Sequence, residues 1–172
     1  MQTHLVLTLI GRDRPGLVSA ISDIVTAGGG NWLDTRMASL SGHFAGILLV
    51  DAPADRADAL VTALRTLETQ GLRLVIETSG EAPAPAEGLL TLDLLGLDRP
   101  GIVRDISRVL AAHGVSIVEL ETERLTASFS GEAMFKARAV LQPPAGLDRD
   151  ALRRAIEALA NELMVDLTLD AA

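Results

Sequence analysis

Not one of the 172 residues is a cysteine, which removes disulfides, thiol catalysis and thiolate metal sites. Aromatic side chains make up only 2% of the chain, with a single tryptophan, Trp32. No stretch concentrates Arg and Lys, and the formal net charge is −8. A domain that grips phosphate backbones needs a basic face. With none here, and no helix-turn-helix or zinc-finger pattern, direct nucleic-acid binding is not expected, and any effect on genes would run through another protein. No apolar run approaches the ~20 residues that span a bilayer. The chain opens on an alternating strand pattern instead of a basic segment and a signal h-region. A soluble cytoplasmic protein with no membrane partner is therefore expected.

Catalytic signatures are missing as well: there is no nucleophile-elbow, zincin or P-loop sequence. His4, His43 and His113 are scattered along the chain, so no metal site is expected. Gly28-Gly29-Gly30 follows a helical pattern and precedes a strand pattern, the reverse of a dinucleotide fingerprint. No cofactor is expected.

What the chain does contain, it contains twice. Gly11-Arg12-Asp13-Arg14-Pro15-Gly16-Leu17-Val18 returns 85 residues later as Gly96-Leu97-Asp98-Arg99-Pro100-Gly101-Ile102-Val103. The two glycines, the Asp, the Arg and the Pro are identical, and the flanking apolar residues match. A duplicated strand, turn and helix start in a chain of this length means two copies of one small domain. The 48% hydrophobic content suits a globular protein and excludes a disordered one. Domains of roughly 80 residues bury a limited share of their surface, so packing between copies or dimerisation is expected to support them.

Leu5, Leu7 and Leu9 alternate with Val6, Thr8 and Ile10, as Leu90, Leu92 and Leu94 do with Thr91, Asp93 and Leu95. That period of two marks a strand with one buried face. Leu17, Val18, Ile21, Ile24 and Val25 then share one side of a helix, and the shift of 85 turns them into Ile102, Val103, Ile106, Val109 and Leu110. Glycine ends each helix, at Gly28 and at Gly114. Strands follow over 31–40 and 44–50, joined at Ser41-Gly42, and over 115–125 and 133–141. Pro53 and Pro143-Pro144 close these hairpins. A second helix carries Leu60, Leu64 and Leu67, matched by Leu152, Ile156, Leu159 and Leu163. Final strands run over 72–77 and 164–169. The fold class is α+β: two tandem ferredoxin-like β-α-β-β-α-β domains, each a four-stranded antiparallel sheet with two helices on one face. Domain 1 is placed at 1–79, a semi-rigid extended linker at 80–87, and domain 2 at 88–172. Glu119, Glu121 and Glu123 have strand spacing and read as one solvated face.

The repeated turn has two readings. Asp-Arg-Pro-Gly is a good helix start, with Pro15 and Pro100 suited to the first helical position and Asp13 and Asp98 set against the positive end of the dipole. Gly11 and Gly96 then allow a sharp exit from the strand. Alternatively, N–H groups at the helix start hold the carboxylate of an α-amino acid while Asp13 pairs with its ammonium, and Asn31 offers a donor and an acceptor to the same ligand.

A β-α-β-β-α-β unit with Asp-Arg-Pro-Gly-(Leu/Ile)-Val after its first strand, and Gly-Gly-Asn at its second, resembles an ACT domain. ACT domains are regulatory modules that commonly bind amino acids at interfaces between paired domains. The resemblance covers nearly the whole chain as two copies. The tandem layout, the length and the run Asn31-Trp32-Leu33-Asp34-Thr35-Arg36-Met37-Ala38-Ser39-Leu40 most resemble the glycine cleavage system transcriptional repressor family. Members of that group bind the transcription activator of the glycine cleavage operon and no DNA, with glycine as the relieving effector.

The resemblance implies a ligand site at Gly11, Asp13, Arg14, Pro15, Gly16 and Asn31. A second site would comprise Asp98, Arg99, Gly101 and Ser116, where Ser116 stands in place of Asn31 and cannot reproduce its paired donor and acceptor. It further implies a non-enzymatic protein with a small amino acid effector such as glycine, a protein partner and a homodimeric state. The partner is a transcription activator or, alternatively, a metabolic enzyme to which the chain is a regulatory subunit. Formyltetrahydrofolate hydrolases carry a similar N-terminal unit, but this chain repeats that unit where their catalytic domain would lie.

Overall fold

The computed structural model describes residues 1–79, 88–128 and 131–172. The chain divides into two units, Met1–Ala84 and Pro85–Ala172; the linker expected over 80–87 lies outside the described residues. The first unit runs β1 (Gln2–Arg12), α1 (Leu17–Ala27), β2 (Asn31–Leu40), β3 (His43–Pro53), α2 (Ala57–Arg65), a 3-10 turn over Thr66–Gln70, and β4 (Leu72–Ser79). Its sheet is antiparallel in the order β2-β3-β1-β4. The second unit repeats this with β5 (Leu90–Leu97), α3 (Ile102–Ala112), β6 (Ser116–Thr126), β7 (Ala133–Gln142), α4 (Arg149–Leu163) and β8 (Val165–Ala171), in the order β6-β7-β5-β8. The expected ferredoxin-like arrangement is therefore present twice.

Each unit has its own core, built on the period-two strand. Leu5, Leu7 and Leu9 are fully buried with Leu17, Ile21 and Val25 of α1 and Leu60 and Leu64 of α2. Leu90, Leu92 and Leu94 do the same with Ile102, Ile106 and Leu110 of α3 and Leu152, Ile156 and Leu159 of α4. Burying a leucine of this kind stabilises the fold by about 1.5–3 kcal/mol. Two expected core members are displaced: Val18 and Val103 are exposed. They sit in the first turn at the rim of the apolar stripe, where the i, i+4, i+8 residues 17, 21 and 25 already fill the space over the sheet.

The opposite faces of the two sheets differ. On the first, Ile10, Ile47 and Val75 are 44%, 54% and 60% exposed, beside an Arg36–Asp34 pair at 2.6 Å on β2. The hydrogen bond from Arg36 holds the Asp34 carboxyl below its usual range. On the second, Glu119, Glu121 and Glu123 of β6 lie opposite Val140, Arg138 and Lys136 of β7, with Arg138 3.5 Å from Asp93 of β5. The acidic series does line one face, and there it meets a basic row.

The hairpins differ too. Ser41 and Gly42 both have positive φ, 49° and 77°, which gives the two-residue turn whose twist matches its strands. Its neighbouring pair Ser39↔Phe44 corresponds to Arg124↔Phe135, so the offset between copies rises from 85 on β2 to 91 on β3. The second hairpin has gained six residues while the sheet beneath kept its register.

Leu7→Ala should cost about 2–5 kcal/mol in urea unfolding, because its side chain is fully buried. Val75→Ala, on the open face, should change stability by about 0.5 kcal/mol or less.

Candidate functional site

The turn after β1 is shaped by its last glycine. Gly16 has φ 88° and ψ 2°, and Gly101 has φ 98° and ψ −7°, the values of the third residue in a type II turn, with proline favoured at the second. Pro15 and Pro100 therefore precede the helix by two residues and are not its first residue, as the sequence pattern had suggested. The reversal is made by glycine in the left-handed region, and the helix can start only after it. Gly16 O accepts the Ala20 N–H at 2.9 Å and Gly101 O the Asp105 N–H at 2.9 Å. Among the described residues no side chain caps either helix, so first-turn N–H groups point outward at the positive end of the dipole.

The first glycine of each motif has a different task from the strand exit expected of it. Gly11 and Gly96 lie inside β1 and β5, paired with Leu72 and Val165. A Cβ on Gly11 would sit 2.7 Å from Leu72 Cδ2 and 3.0 Å from the Gly71 carbonyl, and one on Gly96 would run into Val165. Close approach of the fourth strand, not a bend, demands glycine here.

Asp13 is held by the β2–β3 hairpin on two sides. Its N–H donates to Gly42 O at 3.0 Å, and the Ser39 hydroxyl donates to its Oδ2 at 2.5 Å. Among the described residues the other carboxylate oxygen has no partner. Arg14 turns away, donating to the carbonyl and side-chain oxygens of Gln70 at 3.3 and 3.2 Å. That leaves an anchored, exposed carboxylate in the turn that leads into an uncapped helix start.

Asn31 is not part of this corner. It pairs with Asp51, which pairs with His4, whereas Asp13 follows Arg12 at the other end of the sheet. From His4 to Arg12 is about 26 Å of strand at ~3.3 Å per residue. The intervening helix carries the chain from one end of the sheet to the other, so a small ligand cannot touch Asp13 and Asn31 of one copy together. Trp32, next to Asn31 and packed on the core, is equally remote. The same holds for Ser116, which pairs with Gln142, and Asp98.

In the second copy the backbone is kept, with Asp98 N–H donating to Ala133 O at 2.8 Å, but the side chains differ. Arg124, in the register position of Ser39, places Nε 2.8 Å from Asp98 Oδ2. Arg104 Nε lies 2.8 Å from Asp105 Oδ1, and its guanidinium packs where a Cβ of Gly101 would stand. Hydrogen bonding from Arg104 lowers the pKa of Asp105. In the first copy, no described atom lies within 4 Å of where a Cβ of Gly16 would stand. Arg99 is half-buried.

Sequence reasoning missed Ser39, Gly42, Gln70, Arg104 and Arg124. The signal for the Ser39–Arg124 exchange was present, since both lie 85 residues apart in the repeat, but only strand register shows that this position faces the turn. Among the described residues, no group of three or more His, Asp or Glu side chains is placed to hold a metal. No described helix is long and apolar enough to cross a membrane.

The profile of the ACT domain family matches residues 3–77 and 89–169. The chain is 29% identical over 167 residues to the glycine cleavage system transcriptional repressor of Escherichia coli K12, covering 94% of this chain and 86% of that protein. An unknown protein from Galdieria sulphuraria superposes with TM-score 0.88 at 30% identity, over 100% of this chain and 99% of that one. A candidate glycine cleavage system transcriptional repressor superposes with TM-score 0.74 at 20% identity, over 100% and 98%, a likeness of fold.

Gly16→Ala should cost about 1–2 kcal/mol from left-handed strain alone, since no atom of the described residues obstructs the new methyl. Gly11→Ala should cost more, because Leu72 must move. Urea midpoints of the two variants compare strain with collision.

Proposed function

Because the chain belongs to the ACT domain family, as two tandem copies, we propose that it is an amino-acid-responsive regulator that acts through a partner protein and is not itself an enzyme. The observation that carries this reading is the first turn, where an anchored Asp13 carboxylate precedes an uncapped helix start. An α-amino acid presents the complementary pair of charges. Its carboxylate takes the N–H groups of the first turn of α1, and its ammonium takes the oxygen of Asp13 that Ser39 leaves open. Pro15 and Gly16 shape the turn, Arg14 ties it to Gln70, and Gly11 lets the fourth strand close against the strand that leads into it. Asn31 joins the same ligand only where a second copy of the chain brings its strand start alongside, which ties that residue to the homodimer.

Glycine is the effector assigned, supported by the similarity to the E. coli repressor. It has five non-hydrogen atoms, so at about 1.5 kcal/mol per atom its affinity is micromolar at best. Such a ligand regulates by concentration, as a metabolite sensor must, and shifts the protein only by binding one state better than the other. The partner assigned is a transcription activator of glycine cleavage, with the protein working in the cytoplasm. The net charge of −8 supports contact with a protein over contact with DNA.

Calorimetry on the purified chain should show saturable glycine binding between micromolar and millimolar. Asp13→Asn should weaken it by about tenfold or more, since a charge-assisted hydrogen bond contributes about 1.5–3 kcal/mol, with no change in melting temperature. Unaltered affinity would remove the assigned site. Separately, the immobilised chain should retain a DNA-binding activator from lysate, less so with glycine present, and should leave duplex DNA unshifted on its own. Recovery of a biosynthetic enzyme instead would replace the partner by a metabolic one.

A further inference from the structure

The two turns share a backbone and differ in what the chain itself puts on them. Ser39 and Arg124 occupy the same register position, each paired with the phenylalanine that pairs in turn with the motif's first glycine: Ser39 with Phe44 and Gly11, Arg124 with Phe135 and Gly96. A serine there is short, donates one hydrogen bond to Asp13 Oδ2 and leaves the carboxylate its charge. An arginine there delivers a cation to the equivalent Asp98 at 2.8 Å. The helix start is treated the same way. Ser19 and Ala20 of α1 correspond to Arg104 and Asp105 of α3, whose ion pair lies over Gly101. On the second turn the aspartate is already paired with a cation of the second unit, and the Arg104–Asp105 pair crowds a helix start that, like the first, has no side-chain cap among the described residues.

We propose that the residue at position 39 and its counterpart at 124 decide which copy takes the effector, so that each chain carries one amino-acid site, at the first turn, while the second is closed by Arg124 and Arg104. This rests on the reading of the first turn as the effector site. Ser39 is a positioning residue, acting through Asp13. Arg124 imitates the ligand's ammonium, and being tethered it competes at a high effective concentration that free glycine must overcome. A guanidinium left in place also repels an incoming ammonium. The second turn is thereby a scaffold with the form of a site and without its chemistry.

The test is calorimetric titration of the full chain with glycine and then serine, reading stoichiometry as well as affinity. The wild type should bind one equivalent per chain. Ser39→Arg should weaken binding by about tenfold or more, the loss of one charge-assisted contact, while Ser39→Thr, which keeps the hydroxyl, should bind as the wild type does. Ala38→Arg, which puts the same charge one residue away on the other face of β2, should also bind normally. The double variant Arg104→Ser with Arg124→Ser, both exposed positions, should raise the stoichiometry to two. Two equivalents in the wild type, full affinity in Ser39→Arg, or one equivalent in the double variant would overturn the assignment and leave the effector reading standing. A wild-type chain silent to both amino acids would remove that reading and this assignment with it.

Discussion

One backbone hydrogen bond governs the working end of each unit: the N–H of the motif aspartate to a carbonyl of the neighbouring hairpin. Asp13 reaches Gly42 O at 3.0 Å and Asp98 reaches Ala133 O at 2.8 Å. The bond stops the strand, fixes the aspartate, and sets the point from which proline and a left-handed glycine turn the chain into its helix. The second hairpin is six residues longer, yet it still delivers an acceptor to the same place. A contact that survives so large a change in the element supplying it marks what the fold requires.

Around that fixed backbone the two copies have diverged wherever side chains meet solvent. The cores correspond leucine for leucine along the central strand. The open faces do not: Ile10 and Leu95 are both exposed, but Ile47 on the first face gives way to Arg138 on the second, which sets Glu121 and Glu123 against Arg138 and Lys136. The turns follow the same rule, with Ser39 exchanged for Arg124 and Ser19-Ala20 for Arg104-Asp105. Core packing tolerates little change in volume, whereas a surface position is free to acquire a new partner or lose one. Duplication thus supplied two rigid frames on which separate surfaces could be drawn.

Local patterns made most of the architecture legible. Alternating leucines mark β1 and β5, the stripes mark the helices, and Ser41-Gly42 marks a tight hairpin. What escaped was information that lives in register and in φ. Pro15 resembles a first helical residue until Gly16 is seen at φ 88°. Gly11 resembles a hinge until Leu72 is seen against it. Asp13 and Asn31 are near in sequence, yet the helix between them spans the sheet and puts its length between them. In sequence Ser39 is one exposed serine on an edge strand; its importance comes from a partner 26 residues away. Residues that build elements announce themselves by period, while residues that build a site are assembled by pairing.

The central claim is that one turn of the pair receives an amino acid. Its most direct test is a two-dimensional amide NMR titration of the whole chain with glycine. The account predicts shifts concentrated at Gly16 to Ala20 and at Ser39 to Gly42, with Gly101 to Asp105 unmoved. Shifts at both turns, or at neither, would contradict it.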